Sequence, residues 1–439
     1  MMRKQQLQAS VPLLLALSPW AQAMTLYQDA DSEISARLQG AAGLFHSRES
    51  YGQTGEREPG SVNWQETTLQ YGIDFKHRTT GLGELHGAFD WVSSATFGDG
   101  DAAGWTVGDE RTTKIENAWL GWRSADLFPA LGENGVELSG GRQNVVVGDG
   151  FLISGDALNI GRGMLDGAVN RGGAYYLTGR KAFDQTAVLR LGGDQGWRGD
   201  LMWLKSDNPA QASPELAVAT LEHIAAPATF GLTAIKVTDT DEALAELLYP
   251  ERKGMKLYSV RAQGNAGVSD LFLAAEHAWE RKDAGNENAW YLEAGWTFSQ
   301  LPGKPGVNYR YSRFSEGYDP LFYGNGRALG TWFQGEVASN YAGPFNSNTR
   351  VHHLGVKAAV SDSVNVGALF YTFDTLDPSL GNRDGRELDL YAEWAIDSHW
   401  SLLPLVGYYK PRRSAEDGGS QLETSRGNLY GQVLLVWSY

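Results

Sequence analysis

The sequence predicts an all-β fold: a transmembrane antiparallel β-barrel of about eighteen strands (roughly sixteen to twenty), with short periplasmic turns and long extracellular loops. Three observations carry this expectation. Apolar and polar residues alternate over most of the chain. An export signal opens it, and no apolar run of about 18 residues follows that would make a membrane helix. Cysteine is absent from all 439 residues, so backbone pairing and packing must hold an exported chain together without disulfides.

Residues 1–23 read as a secretory signal peptide. Arg3 and Lys4 form the basic region, VPLLLAL (11–17) the short apolar core, and Ala21-Gln22-Ala23 the small-residue cleavage site. The remaining chain, 24–439, reads as a single barrel domain, because no linker or low-complexity tract divides it and its composition does not shift. Its formal charge is 35 − 52 = −17, since the signal holds two bases and no acids. That balance argues against a nucleic-acid partner. Negative mean hydropathy with many glycines and aromatics fits a barrel whose lumen is polar.

The strands follow in order. Residues 33–46 place Ile34, Ala36 and Leu38 against Glu33, Ser35, Arg37 and Gln39. In 62–78, Leu69, Tyr71, Ile73 and Phe75 oppose Gln70, Asp74, Lys76 and Arg78. After the turn 79–82, Leu85, Phe89 and Trp91 oppose Glu84, His86 and Asp90. Such alternation with charge on one parity only marks strands half facing lipid and half facing lumen. Further strands fall near 111–122, 135–147, from 183, 197–206, 214–224, 228–238 and 254–264. The rest fall near 268–281, 288–299, 305–316, 348–359, 363–374, 385–396, 399–411 and 426–439. The clearest is 385–396, where Glu387, Asp389 and Glu393 alternate with Leu388, Leu390, Ala392 and Trp394. The last, ending NLYGQVLLVWSY, closes on an aromatic residue, Tyr439, as expected of a strand presented to the barrel-assembly machinery and paired with the first strand.

Closure decides the count. The segment 167–178 (GAVNRGGAYYLT) resembles a strand, but including it makes the number odd and puts the short turns of the two halves on opposite sides of the membrane. It is therefore assigned to a long loop, 149–180; a second long loop spans 317–347. DEALAELL (241–248) predicts a short helix on a third loop. At about eighteen strands a barrel leaves an aqueous channel.

Three segments together resemble the alginate-export-like family of outer-membrane porins: GRQNVVVGDGFLISG (141–155), RKAFD (180–184), and YDPLFYG (318–324) followed by GTWFQGE (330–336) and NSN (346–348). The resemblance implies a barrel in the bacterial outer membrane that passes a carbohydrate, uronic polymer or other small polar or anionic solute, with loops folded over or into the pore. One feature departs from a polyanion channel. The lumen parity offers Arg37, Lys76, Arg78, Lys114, Arg190 and Arg310, but equally Glu33, Asp74, Glu84, Asp90, Glu116, Glu387, Asp389 and Glu393. A pore selecting a polyanion presents mainly cations, so a mixed lining favours a small-solute channel.

The constriction candidates are Arg142, Asp149, Arg190, Arg310, Asp319, Gln334 and Glu336. Arg142 with Asp149 predicts a bidentate pair that holds the first long loop at the pore; the alternative is a loop-fixing salt bridge that never meets solute. Tyr318, Trp332 and Phe333 are candidates for stacking on solute rings, against the alternative that they pack the loop onto the wall. The acidic stretches 97–101 and 374–389 lack EF-hand spacing and read as solvated loops, with Ca²⁺ bridging to lipopolysaccharide as the alternative. No catalytic, metal or cofactor site is expected, and His86, His277, His352 and His353 fall in no local catalytic motif. The expected partners are outer-membrane lipid, lipopolysaccharide, the assembly machinery and a small-molecule solute. The leading function is passive diffusion through a loop-narrowed pore. A dedicated exporter of an acidic polysaccharide such as alginate is the alternative, and a barrel enzyme or adhesin the third reading.

Overall fold

The structure, a computed structural model, describes residues 24–54, 57–324 and 334–439. Among them nineteen strands form one sheet. The first six are β1 (Met24–Gln28), β2 (Ser32–Ser47), β3 (Val62–Thr79), β4 (Gly83–Gly98), β5 (Arg111–Arg123) and β6 (Val136–Gln143). A small separate hairpin, β7 (Val146–Val147) and β8 (Ile153–Ser154), follows inside the barrel. The wall resumes with β9 (Phe183–Leu191), β10 (Gly196–Lys205), β11 (Glu215–Ile224), β12 (Ala228–Asp239), β13 (Lys256–Gly264), β14 (Leu271–Arg281) and β15 (Asn286–Thr297). It is completed by β16 (Gly306–Phe314), β17 (Thr349–Ala359), β18 (Val364–Thr375), β19 (Gly385–Ala395), β20 (Trp400–Pro411) and β21 (Asn428–Ser438).

Every neighbouring pair is antiparallel, and β21 returns to β2, so eighteen strands close the barrel as the alternation predicts. Closure satisfies the backbone groups that an open edge would expose to lipid. The nineteenth strand, β1, has no counterpart in the sequence reading, and its reason is geometric. β21 ends with Ser438 opposite Gln39, which leaves the lower part of β2 without a partner; β1 folds back and pairs Met24–Gln28 against 33–36 there. The segment 167–178 forms no strand, and α1 (Glu242–Leu248) is the expected short helix, capped where the Asp241 side chain accepts the Leu244 N–H.

The side-chain parity follows the charge pattern. On β19, Leu388, Leu390 and Trp394 face outward, while Glu387 and Asp389 are wholly buried inside. The charged lumen parity pairs across strands, with Lys76 on Glu33 (2.7 Å) and Arg37 joined to Asp74 and, at 3.5 Å, to Asp90.

Eighteen strands enclose more space than side chains alone fill, and two inward-folded segments occupy it. β6 ends at Gln143, four residues earlier than the alternation suggests, and the chain leaves the wall until β9. One apolar cluster joins Tyr175, Tyr176 and Leu177 of this segment to Tyr341 of the second segment and to Trp64 and Tyr430 of the wall. There Trp64 stacks on Phe45 at 5.0 Å and meets Tyr341 edge-on at 5.5 Å. A second cluster packs Phe151 and Ile153 with Phe322 against Phe183, Tyr291 and Phe314. Gly163 permits the closest approach: a Cβ there would lie 1.7 Å from the carbonyl oxygen of Gly104 in the neighbouring loop.

Candidate constriction site

β5 descends from the long-loop rim toward the short-turn end, and two cavities are stacked along its inner face. The upper, about 380 Å³, is lined by Asp109 and Glu110 of the preceding loop, by Arg111, Thr112 and Lys114 of β5 and by Arg162, Asn170, Arg171 and Arg180 of the inward segment, with Arg162 paired to Asp109. The lower, about 430 Å³, is lined by Glu116 and Asn117 of β5, by Lys181 of the inward segment, and by Arg37, Gln39 and Gln70. Arg180 lines the upper cavity and the next residue, Lys181, the lower, so the inward segment crosses between the two here and makes this the candidate neck.

The neck is pinned at one place. A bulge in β5 opposite the Asp90–Trp91 step of β4 leaves Glu116 outside the register, and both Glu116 and Asn117 are buried inside. Glu116 Oε1 then accepts the backbone N–H groups of Lys181 (2.6 Å) and Ala182 (2.7 Å). Behind it lies an arginine cluster organised by Asp207, from the loop after β10. Its carboxylate takes Arg142 Nη1 (2.9 Å), Arg180 Nη2 (2.9 Å) and Arg171 Nη1 (3.2 Å). Arg171 also pairs with fully buried Asp156 at 2.8 Å, and Arg142 with Asp184 at 2.9 Å. Burial pushes the Asp207 carboxyl up, but the Arg171, Arg142 and Arg180 guanidiniums together outweigh it and hold it below the usual carboxylate range.

The cations are not all spent on these pairs. Arg142 Nη2, Arg171 Nε and Arg180 Nε are buried N–H groups without a hydrogen-bond partner. Lys114 in the upper cavity and Lys181 in the lower make no ion pair among the described residues. Burial lowers the Lys181 ammonium below the usual lysine range, against the pull of Glu116. The candidate neck therefore presents spare N–H donors and two ammonium groups outside any ion pair among the described residues, beside carboxylates that are themselves paired or hydrogen-bonded.

No family model matches the chain, and no curated protein matches it. Solved structures share its fold. OccAB1 of Acinetobacter baumannii is similar at a TM-score of 0.59 and 10% identity, over 96% of this chain and 99% of that one. OccK5 (OpdH) of Pseudomonas aeruginosa is similar at 0.58 and 9%, over 92% and 98%. OccK11 (OpdR) of the same organism is similar at 0.53 and 13%, over 92% and 95%. Identities this low show the fold alone. They support the closed barrel and lend no specific support to the narrower resemblance to alginate-export-like porins.

The structure distributes the residues singled out in the sequence. Arg142 reaches the neck, but its partner is not Asp149. Asp149 lies across the lumen, accepting the Tyr291 hydroxyl (2.5 Å) and the Phe151 N–H (3.2 Å). The physical reason is the bend at Gln143: once the chain leaves the wall, the seven residues from 142 to 149 carry it inward, and Asp184 and Asp207 stand nearer to Arg142. Arg190 is not at the constriction either. It sits at the short-turn end of β9, paired with Asp200 (3.2 Å) and Glu137 (3.6 Å).

Asp319 is buried against Arg252, with Nε–Oδ2 at 2.7 Å, and Leu321 N–H caps it; it fixes the second loop and does not line the neck. Gln334 seats the same loop by donating to Ser312 (2.6 Å), beside buried Arg310. Glu336 accepts the Tyr176 hydroxyl (2.7 Å) and so ties the two inward segments together. Burial and, after it, Glu387 push its carboxyl up to about 8, against the Tyr176 hydrogen bond. Tyr318 is buried against Phe314, the packing role rather than an open stacking face. Trp332 and Phe333 lie outside the described residues.

Sequence reading missed Arg171, Arg180, Lys181 and Asp207 as site residues. Arg180 and Lys181 carry a signal, since both belong to the RKAFD segment. Lys114 and Glu116 fall on the lumen parity of the sequence, which by itself assigns them no role. Asp207 carries no signal: it is a single acid on a short loop, 65 residues from Arg142.

Proposed function

We propose that this chain is an outer-membrane channel through which small anionic solutes diffuse, narrowed at the Arg180–Lys181 neck. The observation that carries the reading is the pair of unpaired ammonium groups, Lys114 above the neck and Lys181 below it, beside an arginine cluster with spare N–H donors. Field focusing in a narrow, low-dielectric passage raises the local concentration of the opposite charge, so the neck selects by sign. The fold shared with the Occ proteins is the scaffold expected for such a channel.

The cavity sizes favour a small solute over a polymer. Spaces of about 380 and 430 Å³ separated by a pinned neck suit one small molecule at a time, and the paired acids of the lumen interrupt any continuous cationic track. This weighs against a dedicated exporter of an acidic polysaccharide. The test is the reversal potential of the purified protein in planar bilayers under a potassium chloride gradient, followed by titration with a small carboxylate such as gluconate. Anion preference with concentration-dependent block by gluconate supports the reading. Cation preference overturns it, and closed bilayers without conductance favour the enzyme or adhesin reading. Deleting the middle of the inward segment, residues 162–170, should raise single-channel conductance; unchanged conductance would place that segment outside the conducting path.

A further inference from the structure

The outer face of the barrel carries a feature that solute passage does not use. At the long-loop rim, three cations stand side by side on three successive strands: Lys236 of β12 pairs directly with Lys256 of β13, and Lys256 with Arg281 of β14. All three are exposed, and none makes an ion pair among the described residues; Arg281 lies over the Tyr258 ring, 5.7 Å from its centroid. Neighbouring rim lysines differ: Lys205 pairs with Glu215 (3.6 Å), and Lys253 with Asp239 (3.0 Å) and Glu242 (2.9 Å). Like charges directly opposite in a ladder repel, and strands lie only about 4.8 Å apart. An anion from outside the chain is what would relieve this row.

Directly beside and below the cations the surface is hollowed. The row that holds Lys256 and Lys236 continues into Ala217 and Trp203. The next row toward the membrane centre reads Tyr258, Ala234, Ala219, Leu201. The alanines belong to a groove of about 690 Å³ that runs across the strands from Leu138 of β6 past Ala187 and Leu189 of β9 and Leu201 and Trp203 of β10 to Tyr258 of β13, with Lys236 and Lys256 on its rim side. Below it the surface fills again, with Leu221, Leu232 and Val260 all projecting. The groove is thus an apolar trough that borders a cationic patch outside any ion pair among the described residues.

From this geometry we infer that the outer face of β10–β14 is a binding site for a lipid whose headgroup carries phosphate. The phosphate sits on Lys236, Lys256 and Arg281, and one acyl chain lies in the alanine groove. A phosphate monoester suits the patch, because it brings close to two negative charges and three acceptor oxygens to three donors. The rim position suits a lipid, because the patch stands at strand ends, where headgroups meet the barrel, and the groove lies directly on its membrane side. The inference is independent of which solute the lumen passes.

The test uses the full chain purified in a non-ionic detergent, titrated with dioleoyl phosphatidic acid or dioleoyl phosphatidylcholine and read by native mass spectrometry. The wild type should retain phosphatidic acid well above phosphatidylcholine. Near a charged headgroup each basic residue is worth roughly fivefold, so Lys236→Gln/Lys256→Gln/Arg281→Gln should weaken phosphatidic acid by roughly a hundredfold and leave phosphatidylcholine unchanged. Ala219→Phe, which fills the groove and keeps the cations, should weaken phosphatidic acid as well. Unchanged single-channel conductance of both variants shows that the barrel has assembled. Equal retention of the two lipids by the wild type, or phosphatidic acid binding unaffected by either variant, overturns the site, as does a dimer that survives in the spectrum and is lost on Ala219→Phe, because the groove is then an interface between copies.

Discussion

Lys181→Gln removes one of the two unpaired ammonium groups flanking the neck. Two unit charges about 4 Å apart interact by ~1 kcal/mol in water and ~4 kcal/mol at an effective dielectric of about 20. Lys181 is half-buried and lines a water-accessible cavity, so the lower figure governs. About 1 kcal/mol corresponds to roughly fivefold in relative permeability. Glu116 remains when its opposing charge is lost, which acts in the same direction. The expected outcome is a chloride-to-potassium permeability ratio about fivefold lower than in the wild type, read as a shift in reversal potential at about 0.1 M salt. The screening length falls from about 10 Å to about 3 Å between 0.1 M and 1 M, so the difference should shrink in concentrated salt. A pH series adds a second readout. Because burial lowers the Lys181 ammonium, alkaline titration should remove part of the wild type's anion preference before an ordinary lysine discharges, and the variant should lack that step. Equal reversal potentials for the two proteins at low salt, or a shift toward anions in the variant, would refute the assignment of the neck.

Two further predictions concern how the loops are held. Glu336 has its folded value raised to about 8, so the stability it supports is fully present below the ordinary glutamate range and is lost as pH rises through about 8. The loss is on the order of several kcal/mol, so Glu336→Gln should reduce the pH dependence of thermal unfolding between about pH 5 and 9, with other buried carboxyls keeping the remainder; an unchanged dependence would show that Glu336 does not titrate in this range. Arg252→Met leaves the Asp319 carboxylate buried without its guanidinium and should destabilise the second loop by ~3–5 kcal/mol, seen as faster protease cleavage within 317–324. The double variant Arg252→Met/Asp319→Leu should recover most of that loss, and failure to recover would show that the pair does more than fix the loop.

Much of the wall was legible because its rule is local. A strand between lipid and lumen must alternate, so Leu388, Leu390 and Trp394 against Glu387 and Asp389 reveal β19 without any knowledge of its neighbours. Requiring an even number of strands with the short turns on one side removed 167–178 from the wall, and the structure places that segment in the lumen. Less of the constriction was legible. Arg142 was identified, but it was given Asp149, its near neighbour in sequence, where the structure gives it Asp184 and Asp207. Tyr318 and Asp319 looked like residues of a solute site because aromatic and acidic groups share a loop; they pack and fix that loop instead.

The sequence by itself determined that the chain closes into an eighteen-stranded barrel, which strands compose it and which connections are long. Each of these follows from period-two patterning and the need to leave no strand edge in lipid. Only the tertiary structure decided which charges meet at the neck. Glu116 meets Lys181 through an inward bulge, and Asp207 gathers Arg142, Arg171 and Arg180 from segments 27 to 65 residues away. It also decided that Lys236, Lys256 and Arg281 form a single patch, since that depends on the registers of β12, β13 and β14. Alternation states which face a side chain occupies, whereas the register and the path of the inward segments determine which side chain it meets.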